Sequence, residues 1–161
     1  MKKFLVCFVL LFIGISCKKD LQLCGCSVVE YTFHLSVQGA NDQDLLAPNA
    51  AGGYTADQIK LYYKEGNDLK PLDFIIRPPF SYGQNVDIKY DFYQLHSSEI
   101  MRYRLAGKTG FYIKLGDDAP LPLSFDLDQN NNTAGNVKIN NIPLVEAEIG
   151  EGYPPLWVLV K

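Results

Sequence analysis

The sequence predicts an all-β protein built as an antiparallel β-sandwich. Three observations point there. Separate stretches alternate apolar and polar residues with a period of two, as half-buried strands do. Turn signals rich in Gly, Asn, Asp and Pro punctuate the chain about every 8–12 residues, the spacing of sandwiches and barrels. No long stretch repeats apolar residues at the helical period. The alternation further implies that each sheet keeps one face in solvent, as antiparallel sheets commonly do.

The elements follow in order. From Val29 to Gln38, Tyr31, Phe33, Leu35 and Val37 alternate with Thr32, His34, Ser36 and Gln38, giving a first strand with one apolar and one polar face. Gly39 to Tyr54 is a loop containing Pro48 and several Asn, Asp, Ala and Gly residues. Thr55 and Gln58 have capping-box spacing, which predicts one helical turn. Ile59 to Lys64 is a second strand, ended by Glu65-Gly66-Asn67-Asp68, and Leu69 to Arg77 a third, stopped by Pro78-Pro79. Val86, Ile88, Tyr90 and Phe92 alternate with Asp87, Lys89, Asp91 and Tyr93 in a fourth. Ser97 to Leu105 fits either a short helix or a strand, and Ala106 to Gly110 a hairpin-type turn. Phe111 to Leu115 and Leu121 to Leu127 are strands, followed by an Asn-rich turn from Asp128 to Asn136. Val137 to Ile142 and Leu156 to Val160 complete the set.

The first seventeen residues carry a different signal. Lys2 and Lys3 form a positive head, and Phe4 to Ile15 is apolar except for Gly14. That run is too short for a membrane span, which needs roughly 20 residues, and has the make-up of a secretory signal. Ile13-Gly14-Ile15-Ser16-Cys17 resembles a bacterial lipobox, with Gly14 where the family usually has Leu. The resemblance implies a helical signal peptide over 1–16, diacylation of Cys17, a tether over 17–27 and a folded domain over 28–161. The lysine-rich sequence after the cysteine resembles lipoproteins of the Bacteroidota. Lys18, standing where Asp would retain a lipoprotein in the inner membrane, implies the outer membrane, on its periplasmic or cell-surface face. Two acyl chains suffice for stable anchoring. Gly53 to Tyr63 also resembles the second-strand region of small Bacteroidota lipoproteins that have immunoglobulin-like or transthyretin-like sandwiches.

Removing 1–16 leaves one domain of ordinary size, able to bury a core without staples. Without Lys2 and Lys3 the chain has 13 basic and 18 acidic residues, a net charge of −5. The basic residues are not clustered, which argues against nucleic acid as a partner. Cys7 leaves with the signal, so Cys24 and Cys26 remain. They fit a strained local disulfide, two free thiols or a soft-metal pair. A structural zinc site wants four ligands, and the sequence offers no second pair.

Several constellations bear on function. Asp126, Asp128 and Asn130 have the spacing of the first calcium-loop ligands. Positions 6 and 12 of such a loop call for Gly and Glu; Asn131 and Val137 stand there, so a polar turn is the simpler reading. Asn131-Asn132-Thr133 is formally a glycosylation sequon. His34 falls on the polar face of the first strand and His96 in a turn. The hydrolase, zinc-protease and phosphate-loop motifs are absent from the sequence. Asp117-Asp118 and Glu146/Glu148 are carboxylate pairs of the kind that glycosidases use, though solvated turn and strand residues fit them as well. Tyr54, Phe80, Tyr82 and Tyr153 lie in loops beside Gly or Pro. Tyr54 and Tyr82 are candidates to stack on a sugar or anchor a protein partner. The expectation is a lipid-anchored, non-enzymatic binding, adhesion or structural module with no cofactor and no assigned catalytic residue. Its alternatives are a glycan-binding accessory protein and a small cell-surface hydrolase.

Overall fold

The computed structural model describes residues 31–81, 89–128, 132–149 and 153–161. The expected signal peptide and tether, with Cys17, Cys24 and Cys26, lie outside them. Two sheets face one another. The first has strand order β12-β13-β1-β7-β4: β12 (Val145–Glu146), β13 (Trp157–Val160), β1 (Phe33–Gln38), β7 (Gln94–Ser97) and β4 (Ile75–Arg77). The second has order β11-β10-β9-β8-β2-β3: β11 (Ile142–Pro143), β10 (Thr133–Ile139), β9 (Leu121–Asp128), β8 (Phe111–Leu115), β2 (Ile59–Glu65) and β3 (Asp68–Leu72). A short pair, β5 (Phe80–Ser81) with β6 (Lys89–Tyr90), stands apart, and α1 (Glu99–Leu105) follows β7. This is the expected all-β sandwich. All strand pairs named here are antiparallel except β1 with β13, which run parallel in the register Leu35↔Trp157 to Gln38↔Val160.

The apolar half of each alternating stretch makes the core. Phe33, Leu35 and Val37 of β1 meet Ile59 and Leu61 of β2, Phe111 and Ile113 of β8, and Leu123 and Phe125 of β9. Phe125 bridges the layers, with ring centroids 5.6 Å from Phe33 and 5.5 Å from Phe111. Ile100 and Met101 of α1 join the same core. Turn chemistry sets the registers. Asn140 and Asn141 both have positive φ and form the two-residue turn that pairs Ile139 with Ile142, the geometry that matches strand twist in a tight hairpin. The capping box at Thr55–Gln58 forms as its spacing implies.

Several expectations are corrected. Of the strand expected over Val86 to Tyr93, only Lys89–Tyr90 is strand among the described residues, and the strand expected over Val137 to Ile142 breaks at Asn140-Asn141 into β10 and β11. The stretch from Leu69 to Arg77 is not one strand: β3 and β4 belong to different sheets, and the chain crosses between them at Asp73-Phe74. His96 lies in β7, directly opposite His34, rather than in a turn. Most importantly, the polar face of β1 is not solvated, since all six of its residues are buried. Tyr90, from β6, lies against His34 with centroids 6.1 Å apart and planes at 21°, and Phe80 stacks on Tyr90 at 4.8 Å. The outer face of the first sheet therefore carries a partial third layer. Ser97 to Leu105 resolves into helix α1, and β10 begins at Thr133, which shortens the Asn-rich turn.

Candidate functional site

The sandwich is open along one seam, where the β12–β13 edge of the first sheet meets β9 and β10 of the second. A groove of about 640 Å³ runs there, lined by Asp126 and Asp128, by Thr133 to Asn136, and by Glu146, Tyr153, Pro154, Pro155 and Trp157. Its volume lies within the roughly 300–1,000 Å³ of small-ligand sites. Local sequence explains each wall. On β9, residues of one parity bury Leu123 and Phe125, so Asp126 and Asp128 are set apart from that core-facing row. The β9–β10 register shifts between Gly135 and Lys138, a bulge at which Asn136 takes a φ of 49°. Bulges re-aim side chains, and here Asn136 Nδ2 donates to Asp126 Oδ2 at 2.9 Å. On the opposite wall Glu146 pairs with Trp157, and the Ala147 amide donates to the Leu156 carbonyl at 2.8 Å. Trp157 Nε1 donates to the Ala134 carbonyl at 3.1 Å and so ties the two sheets together beneath the groove. A smaller hollow of about 270 Å³ shares Asp126 and Asn136 and adds Arg104 and Lys138.

A polar cluster lies behind this seam, on the outer face of the first sheet. His34 is only 2 % exposed and Gln94 is fully buried. Gln94 Oε1 faces His34 Nδ1 at 2.9 Å, an arrangement that places the ring proton on Nδ1 and leaves Nε2 bare. His34 Nε2 and Gln94 Nε2 have no hydrogen-bond partner among the described residues. The His34 and His96 rings meet edge-on at 4.9 Å. Burial lowers the pKa of His34 to about 4; the Gln94 bond opposes that shift, and His96 and Arg77 add to it. Tyr90 closes the cluster, and its hydroxyl donates to the Pro154 carbonyl at 2.7 Å. Pro154 is a groove wall, so the cluster and the groove share a backbone segment.

The candidates read from sequence are distributed unevenly. Asp126 and Asp128 line the groove, and Asn130 lies outside the described residues. Among the described residues no three His, Cys, Asp or Glu side chains are placed to hold a metal ion. Glu146 and Tyr153 line the groove and Glu148 does not. Asp117 and Asp118 are exposed turn residues; Asp118 accepts from Lys161 Nζ at 2.6 Å, which holds its carboxyl below the usual carboxylate range. Tyr82 lies outside the described residues. Tyr54 is half-buried between two neighbours. Lys161 Nζ sits 5.5 Å over its ring, and its edge packs where a side chain at Gly116 (φ +62°) would collide. Phe80 belongs to the outer layer over Tyr90. Sequence reasoning missed Asn136, Gln94 and the groove role of Trp157. Only Trp157 left a trace, as the chain's single tryptophan in a terminal strand. No protein-family model, curated protein or solved structure matches the chain.

Proposed function

We propose that this protein is a lipid-anchored binding module of the cell envelope, held in the outer membrane through acyl chains on Cys17 and taking its ligand, without chemistry, in the Trp157 groove. The groove carries this reading. It is the place where carboxylates, an amide and aromatic rings from both sheets converge on a cavity of ligand size. Its chemistry favours a glycan over other ligands. Asp126, Asp128 and Glu146 are acceptors suited to hydroxyl donors, and half-buried Tyr153 offers a ring against which a sugar can stack. Asn136, bonded to Asp126, pre-organises that carboxylate.

The anchor is tested by labelled palmitate, expected to enter the wild type and not Cys17→Ala, and by protease treatment of intact cells, which separates the two membrane faces. The groove is tested by titrating envelope polysaccharides and recording Trp157 emission. Binding is expected to be lost in Tyr153→Ala and Glu146→Gln at unchanged melting temperature. A polysaccharide that bound both variants as well as the wild type would remove the groove from the reading.

A further inference from the structure

The His34 cluster has no part in holding a ligand, yet it is wired to the groove. His34 stacks with Tyr90, and Tyr90 bonds the Pro154 carbonyl at 2.7 Å. His34 is also one residue from Leu35, whose parallel partner across the ladder is Trp157. We propose that His34 is a proton-operated latch: neutral, it seats Tyr90 and so fixes the Pro154 wall; protonated, it unseats Tyr90 and loosens the groove. This regulation rests on the groove being the ligand site, while the latch itself can be read without any ligand.

The geometry argues for it directly. The titratable or charged groups that face His34 among the described residues are His96 on β7, Arg77 on β4 and the phenol of Tyr90 on β6. None of them is a carboxylate, so among the described residues an imidazolium at this place gains no counter-charge and meets a guanidinium. Its Nε2, bare in the neutral tautomer, would acquire a proton with no acceptor among the described residues. A buried charge without a partner is relieved by neutralising it or by admitting water. The outer cover is Tyr90 with Phe80 stacked on it, carried among the described residues by the pairs Phe80↔Tyr90 and Ser81↔Lys89, whereas the inner face of β1 is core, so water is admitted from the outer side. An envelope protein meets the pH of its surroundings, so a proton is an available signal. With His34 titrating at about 4 when covered and near 6.5 when open, the ratio of open to covered forms rises about 20-fold from neutral pH to pH 5.

Trp157 is the only tryptophan and reports from the groove floor. The test is to follow its emission and its quenching by acrylamide from pH 7.5 to 4, with far-UV circular dichroism in parallel. The expected result is that quenching rises as pH falls while the strand signal persists. His34→Gln, which retains the groove carboxylates Asp126, Asp128 and Glu146, is expected to abolish the rise; His96→Gln is expected to keep it. Tyr90→Phe should show raised quenching already at pH 7.5. Should His34→Gln fail to fold, titration of the His34 ring proton by NMR in the wild type must track the quenching curve. Unchanged quenching, the same rise in His34→Gln, a rise that coincides with strand loss, or a ring titration that departs from the curve would each overturn the latch. Ligand affinity independent of pH, alongside a Trp157 response, would break the regulation but not the groove; no bound ligand at any pH would break the groove reading alone.

Discussion

The two sheets solve burial in opposite ways. In the six-stranded sheet the strand β2, paired on both sides by β8 and β3, shows the alternation of a surface sheet, with Ile59, Leu61 and Tyr63 buried and Lys60 and Lys64 exposed. In the five-stranded sheet the central strand β1 has the same written pattern but is buried at every position. The difference lies in what arrives on the outer face. Nothing among the described residues covers Lys60, whereas Tyr90, backed by Phe80 and bonded to Pro154, covers His34. A polar residue on an alternating strand thus has two fates. In solvent it is a spectator, and under a cover it becomes a buried hydrogen-bonding group that stability and pH can act on.

The contrast can be broken most forcefully where the sheets agree. Phe33→Ala, on the face both sheets share, should cost about 3–5 kcal/mol in urea unfolding, the range for truncating a core Phe. A loss under 1 kcal/mol would mean that the two layers do not pack as described. The next test acts on the covered face alone. The pKa of His34 falls from 6.5 unfolded to about 4 folded, so between those values the unfolded chain binds more protons. Stability is therefore full above pH 6.5 and declines as pH falls through 4, by at most about 3 kcal/mol. His34→Gln should flatten that part of the pH–stability curve, and an unaltered curve would show that His34 is not the group responsible. Tyr90→Phe removes the bond to Pro154 and should cost about 1 kcal/mol, read as a lower urea midpoint. The smallest effect belongs to the open face. Lys60 stands directly opposite Lys114, and like charges so placed repel. Lys60→Glu should raise stability by roughly 0.2–1 kcal/mol, less at high salt. Destabilisation by that change would mean that this face is not a simple solvated surface.

Much of the architecture was legible because short-range rules decide it. The strands at Ile59, Phe111 and Leu121 follow from alternation and the turn after Thr55 from its capping box, whereas Val137 to Ile142, read as one strand, breaks at the positive-φ pair Asn140-Asn141. The groove was legible only in pieces. Asp126, Asp128, Glu146 and Tyr153 each stood out in the sequence, but nothing local says that residues 126 and 153 face one seam. The strands at Leu69–Arg77 failed for a related reason, since a run of apolar residues does not announce that the chain changes sheets within it.

By itself the sequence determined the alternating strands β1, β2 and β8 and which of their faces is apolar, since φ/ψ preferences and side-chain periodicity act over a few residues. Only the tertiary structure decided that β1 lies parallel to β13, that Tyr90 roofs His34 and that Asn136 turns onto Asp126. Those outcomes depend on which distant segment wins each surface. His34 carries the distinction in one residue: its strand position follows from alternation, and its burial from a tyrosine 56 positions away.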